Sequence, residues 1–96
     1  MGYSKSDLLT FNESQLQAMI DVVEEILSKI QLSKSSYDDY VESQLKPIWT
    51  TEQGIQMVSK LQGFSTGDIQ KFIGYINDRI ADLTYALSEV KKINIA

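Results

Sequence analysis

The sequence has no cysteine, no histidine and a single proline in 96 residues. Without thiols there is no disulfide framework, thiolate zinc site or cysteine nucleophile, and without imidazole there is no Ser-His-Asp triad and no histidine acid/base chemistry. No stretch approaches the roughly 18 consecutive apolar residues that a membrane-spanning helix needs, and the opening from Met1 to Ser14 lacks the apolar run of a cleavable signal peptide. Positive charge is sparse as well. Nine Lys and Arg stand against 13 Asp and Glu, for a net charge of -4, and the two signs are interspersed. That distribution opposes a phosphate-neutralising stripe along a nucleic acid. The expectation is a single domain over residues 1–96, not an enzyme, with no metal, no cofactor, no nucleic-acid partner and no integral membrane segment.

What the chain does have is helical periodicity. Asn12 stands where a helix cap belongs, Gln15 three residues on completes a capping box, and Phe11 is placed to staple onto Leu16. From there Leu16, Val23, Ile30 and Tyr37 recur every seven residues, Ile20, Leu27 and Val41 fall four after Leu16, Val23 and Tyr37, Ile48 continues the series, and Met19, Ile26 and Tyr40 widen the stripe. The phase holds across the serine-rich stretch at Ser33–Ser36, which predicts one helix over about 13–45, ended by Pro47. A bend at 46–50 carries Trp49. Thr50, with Gln53 as its box partner, then predicts a short helix over about 51–62, stopped by Gly63 in a left-handed turn.

Ser65 or Thr66 is expected to cap a last long helix over about 66–93, with Asp68 in its first turn. Along it Ile69, Ile73, Ile76, Ile80, Leu83, Leu87 and Val90 alternate four-three without a miss, the spacing of a seam that packs on another helix. The fold expected is therefore all-α: an antiparallel hairpin of two long helices with a short intervening helix. One such seam is a thin core, and Phe72 and Tyr75 beside it, with the broad stripe on the first helix, imply a second contact surface and pairing into a four-helix-bundle-like assembly.

Several groups have a plain structural reading beside a functional one. Trp49 can plug the end of a hairpin, with Gly54 permitting close backbone approach. The carboxylates Glu24 and Glu25, Asp38 and Asp39, Asp78 and Asp82 read as a solvated face, since adjacent helical positions diverge by about 100° and neither histidine nor a calcium loop accompanies them. Asn12-Glu13-Ser14 fits a glycosylation acceptor only formally, because its asparagine serves as a cap.

The arrangement of about a hundred residues, a long helix, a tryptophan-bearing bend and helix to the end resembles the WXG family, the early-secreted-antigen-like helical hairpins exported by type VII secretion systems. Where that family has Trp-x-Gly, this chain has Trp49 with Gly54 three positions further on than the family's glycine. Tyr85 and Glu89 fit the family's Tyr-x-x-x-Asp/Glu export signal, and Tyr3 and Asp7 repeat the spacing. Phe64 and Asp68 look like the Phe-x-x-x-Asp element of small helical partners that accompany toxins to the same machinery. The resemblance implies a non-enzymatic interaction module or chaperone that is cytoplasmic before export by a route without a signal peptide. Its partners would be a second copy or another helical protein, such as the helical region of a toxin, and the secretion machinery. Trp49, Gly54, Phe64, Asp68, Tyr85 and Glu89 would be the recognition residues. The alternatives are a small helical immunity protein that neutralises a toxin, or a structural helical adaptor.

Overall fold

A computed structural model describes residues 8–95, and all regular structure among them is helical. Helix α1 spans Glu13–Tyr40 and runs into a π-helical turn at Val41–Leu45; α2 spans Glu52–Phe64 and runs into a second π-helical turn at Ser65–Ile69; α3 spans Gln70–Ile95. Two long helical stretches thus flank one bend. The start of α1 follows from its cap: the Asn12 amide donates to Gln15 Oε1 at 2.9 Å and the Gln15 amide to Asn12 Oδ1 at 2.8 Å. Each side chain satisfies an orphan amide of the first turn.

Three expectations about the middle of the chain are corrected. The cap of α2 is Thr51, not Thr50: its backbone is extended (φ -70°, ψ 166°) and its Oγ1 accepts from the Gly54 amide at 3.3 Å. Gly63 does not stop the helix, because no glycine among the described residues has a positive φ and α2 passes through that position. Neither Ser65 nor Thr66 caps α3. A cap needs a non-helical backbone, whereas Ser65 is right-handed helical and Thr66 lies inside the π-helical turn. The short helix is therefore joined to α3 without a break, and Asp68 lies inside the π turn rather than in the first turn of a new helix.

Hydroxyl groups donate to helix carbonyls beside both π turns. In such a turn each amide reaches five residues back, which withdraws it from the carbonyl four residues back. Lys46 donates to the Val41 carbonyl at 3.0 Å, and Ser43 Oγ donates to the Asp39 carbonyl at 2.7 Å. Gln70 donates to the Ser65 carbonyl, while Thr66 Oγ1 donates to the Gln62 carbonyl at 3.1 Å and Tyr37 Oη to that of Leu61 at 2.8 Å.

The chain forms two compact units. One takes in residues up to Leu27 and those from Tyr75 on. Its core gathers Leu8, Leu16 and Ile20 with Leu83, Ala86, Leu87 and Val90, and Phe11, Met19 and Val23 pack against them. Leu16 and Ala86 are completely buried. The other unit is Ser28–Gly74, where Val41, Val58 and Ile73 are buried and the rings of Tyr37 and Phe64 meet at 6.3 Å, tilted by 57°. Of the seven seam positions on the last helix, Ile73, Ile76, Leu83, Leu87 and Val90 are buried; Ile69 and Ile80 are half-buried.

Candidate functional site

The bend is built by the end of the first long helix. Pro47 has no amide to give, and the Ile48 and Trp49 amides fold back to the Leu45 carbonyl at 3.1 and 3.0 Å. This returns the Trp49 ring and carbonyl onto Gly54, which is buried in the first turn of α2. A Cβ at Gly54 would come closer than 3.0 Å to the Trp49 carbonyl oxygen and to its ring. Glycine is required there for space, not for backbone freedom. Ile48 and Ile55 stand exposed in the same region, and Lys46, Trp49, Ile55, Val58, Ser59 and Gln62 line a shallow cleft.

The other predicted recognition residues are in different settings. Phe64 is half-exposed with one side on the Tyr37 ring, and Asp68 is exposed. Tyr85 is half-exposed; Glu89 is partly covered and ion-paired with Lys92 at 3.1 Å. The spacing puts each pair on one helical face, four residues apart. Trp49, Gly54, Phe64 and Asp68 belong to the second unit, Tyr85 and Glu89 to the first. Tyr3 and Asp7 lie outside the described residues.

Sequence reasoning missed a polar clasp in the second unit. Ser65, fully buried, donates its hydroxyl to Asp38 Oδ1, and Lys34 Nζ donates to Asp38 Oδ2 at 3.1 Å. Donation by Ser65, then by Lys34, holds the Asp38 carboxyl below the ordinary aspartate value against the opposing effect of burial. Alongside, Gln62 Nε2 donates to Glu42 Oε1 at 3.1 Å, and Glu42 also receives Lys46 at 3.1 Å. Asp38 is therefore a hydrogen-bonded carboxylate whose side chain is still 42% exposed. Asp82, expected on a solvated face, is mostly covered: its side chain is 14% exposed and lies 3.3 Å from Arg79 Nε, and the guanidinium stands 5.0 Å over the Tyr75 ring. The signal for Asp38 was its position four residues after Lys34 on the inward side of α1.

Among the described residues no three acidic side chains gather as metal ligands, and no helix is long and apolar enough to cross a membrane. What the surfaces offer is contact. Val22, Ile26 and Leu32 on α1 and Phe72, Tyr75 and Tyr85 on α3 are each about half exposed or more. No protein-family model, curated protein or solved structure matches the chain significantly, so residues and geometry alone carry the functional reading.

Proposed function

We propose that this protein is a WXG-like, non-enzymatic interaction module of a type VII secretion system, acting as a secreted factor or as the targeting partner and chaperone of a secreted toxin. In this reading the two long helical stretches form an antiparallel hairpin, and its outer faces pair with a helical protein into a four-helix-bundle-like assembly. Trp49 and Gly54 shape the bend. Tyr85 with Glu89, or Phe64 with Asp68, is read by the secretion apparatus, the aromatic ring as anchor and the carboxylate as charged hydrogen-bond acceptor.

The observation that carries the proposal is the Trp49–Gly54 contact at the single bend between two long helical stretches. The two residues that the family keeps close in sequence are brought together here in space, despite the longer interval. The apolar side chains exposed on α1 and α3 add support, since singly they are ordinary but along two helices they suit a helical partner.

The test is capture and export in the native host, with the chain as bait. The Tyr85→Ala/Glu89→Ala and Phe64→Ala/Asp68→Ala variants are compared with the unaltered chain. Export of the captured helical protein should stop in one variant while capture persists. If capture instead silences a toxic activity at equimolar ratio, the immunity reading replaces this one. If only the chain itself is recovered and export is unaffected by both variants, the structural adaptor reading replaces it.

A further inference from the structure

Within the Ser28–Gly74 unit, one flank of α2 carries a row of its own. Glu52, Ile55, Ser59 and Gln62 follow one another at three- and four-residue steps and so line up along the helix. Ile55, Ser59 and Gln62 of this row share the cleft at the bend with Lys46, Trp49 and the buried Val58, and the cleft holds about 170 Å³. That is room for a side chain, not for a cofactor. Its apolar part faces solvent. Ile55 is 62% exposed, and Ile48, between Lys46 and Trp49 in sequence, is 80% exposed, more than any other large apolar side chain among the described residues.

The two ends of the row carry charge of one sign. Glu52 opens it, and at the other end Gln62 Nε2 donates to Glu42 Oε1 at 3.1 Å. Gln62 lies ten residues after Glu52, about 15 Å along the helix. Lys46, the cation that lines the cleft, is already bound to Glu42 at 3.1 Å, and Lys60 falls on the other flank of α2 with Met57 and Phe64. Glu42 keeps acceptor capacity, because a carboxylate has about four lone-pair sites and this side chain is 59% exposed. Asp39, one turn before Glu42, adds to the same sign. A second copy laid on this flank would set these carboxylates against their own counterparts, and an anionic membrane or a nucleic acid would meet the same repulsion.

We propose that the bend cleft is a docking site for a basic amphipathic helix of another protein: an aliphatic side chain enters beside Trp49 and Ile55, and Lys or Arg residues about three turns apart reach Glu52 and Glu42. The proposal rests on the reading of the chain as an interaction module and names the partner's chemistry at one surface, which uses neither Tyr85 with Glu89 nor Phe64 with Asp68. The apolar anchor supplies affinity and the charges supply selection, since exposed ion pairs alone add little.

Trp49, the only tryptophan, lines the cleft and reports its occupancy. The probe is a synthetic alanine-rich peptide of about 18 residues, long enough to be helical alone. It carries two leucines three residues apart and an arginine four residues outside each, which sets the guanidiniums about 16 Å apart. Titration into the purified chain should shift Trp49 emission to the blue with saturation. Ile55→Ser should weaken binding at least about tenfold, and Glu52→Gln should weaken it less while reducing its salt dependence. The same peptide with glutamates for arginines, or alanines for leucines, should not bind, and these two arms alter no residue of the protein. The absence of a saturable shift, equal binding by either altered peptide, or binding indifferent to Ile55→Ser or to Glu52→Gln would overturn the proposal. Because the assay needs only chain and peptide, its failure and a failure of the export test are read separately.

Discussion

Replacing Gly54 and Gly74 by alanine, one at a time, should move stability in opposite directions. Both glycines lie in helices without positive φ, and alanine in such a setting is favoured by about 0.5–1 kcal/mol. At Gly74 a Cβ meets nothing within 4 Å, so that gain should appear in full. At Gly54 the Cβ meets the Trp49 carbonyl oxygen first, and backbone cannot step aside as the end of a long side chain can. Forcing a methyl into such a space costs about 1–3 kcal/mol. The intrinsic gain nearly cancels when the two variants are compared with each other, which leaves the clash as the difference between them. In a chain of this size it should separate the melting temperatures by at least about 4 °C, Gly54→Ala melting lower. Urea unfolding with unchanged slope provides the parallel measure, and Trp49, the only tryptophan, should report the displaced ring by a shift in emission. A Gly54→Ala protein as stable as Gly74→Ala, with unaltered emission, would refute the account of the bend.

Further outcomes follow from other contacts. Leu16→Ala, which empties a fully buried position, should cost about 2–5 kcal/mol by denaturant unfolding. Asn12→Ala should cost about 1 kcal/mol, and because the box is reciprocal, Gln15→Ala added to it should cost less than it does alone. The ionised Asp38 is stabilised by folding, so its contribution is present above the ordinary aspartate value and lost as pH falls through the lowered one. Ser65→Ala should therefore be less stable than the unaltered chain at neutral pH, the gap should narrow as pH falls below the ordinary aspartate value, and the Asp38 carboxyl should titrate higher by NMR. A gap independent of pH would disconnect Ser65 from the Asp38 charge.

The helices were legible in the sequence wherever the signal was repetitive or local. The seam from Ile73 to Val90 repeats often enough to survive noise, and the Asn12–Gln15 box is complete within four residues. The middle of the chain was misread because the same residues support two local stories. Gly63, Ser65, Thr66 and Asp68 have the composition of a helix stop followed by a helix start. The hydroxyls found their partners elsewhere, Ser65 on Asp38 twenty-seven positions away and Thr66 on the preceding turn, and that choice is made by packing that no local window contains. One trace of it was present. Tyr37, Val41 and Leu45, then Leu61, Ser65, Ile69 and Ile73, are runs of four-residue steps in a pattern otherwise alternating four and three, and each run coincides with a π turn. The Trp49–Gly54 contact was readable as close approach; that Thr51 rather than Thr50 caps α2 was not, because adjacent threonines offer the same hydroxyl.

The bend also bears on the order in which the chain folds. With its Gly54 face seated under Trp49, α2 cannot spin about its axis, so its azimuth is set within six residues of the turn. The contacts that follow, Tyr37 to Leu61, Asp38 to Ser65 and Glu42 to Gln62, span separations of 24, 27 and 20 residues. The other unit must join Leu16 to Val90, about three quarters of the chain apart. Loop closure favours the shorter separations. The segment around the bend is thus the natural nucleus, and once it has closed, the distance that the two ends must search is already cut by the length of chain it has gathered in.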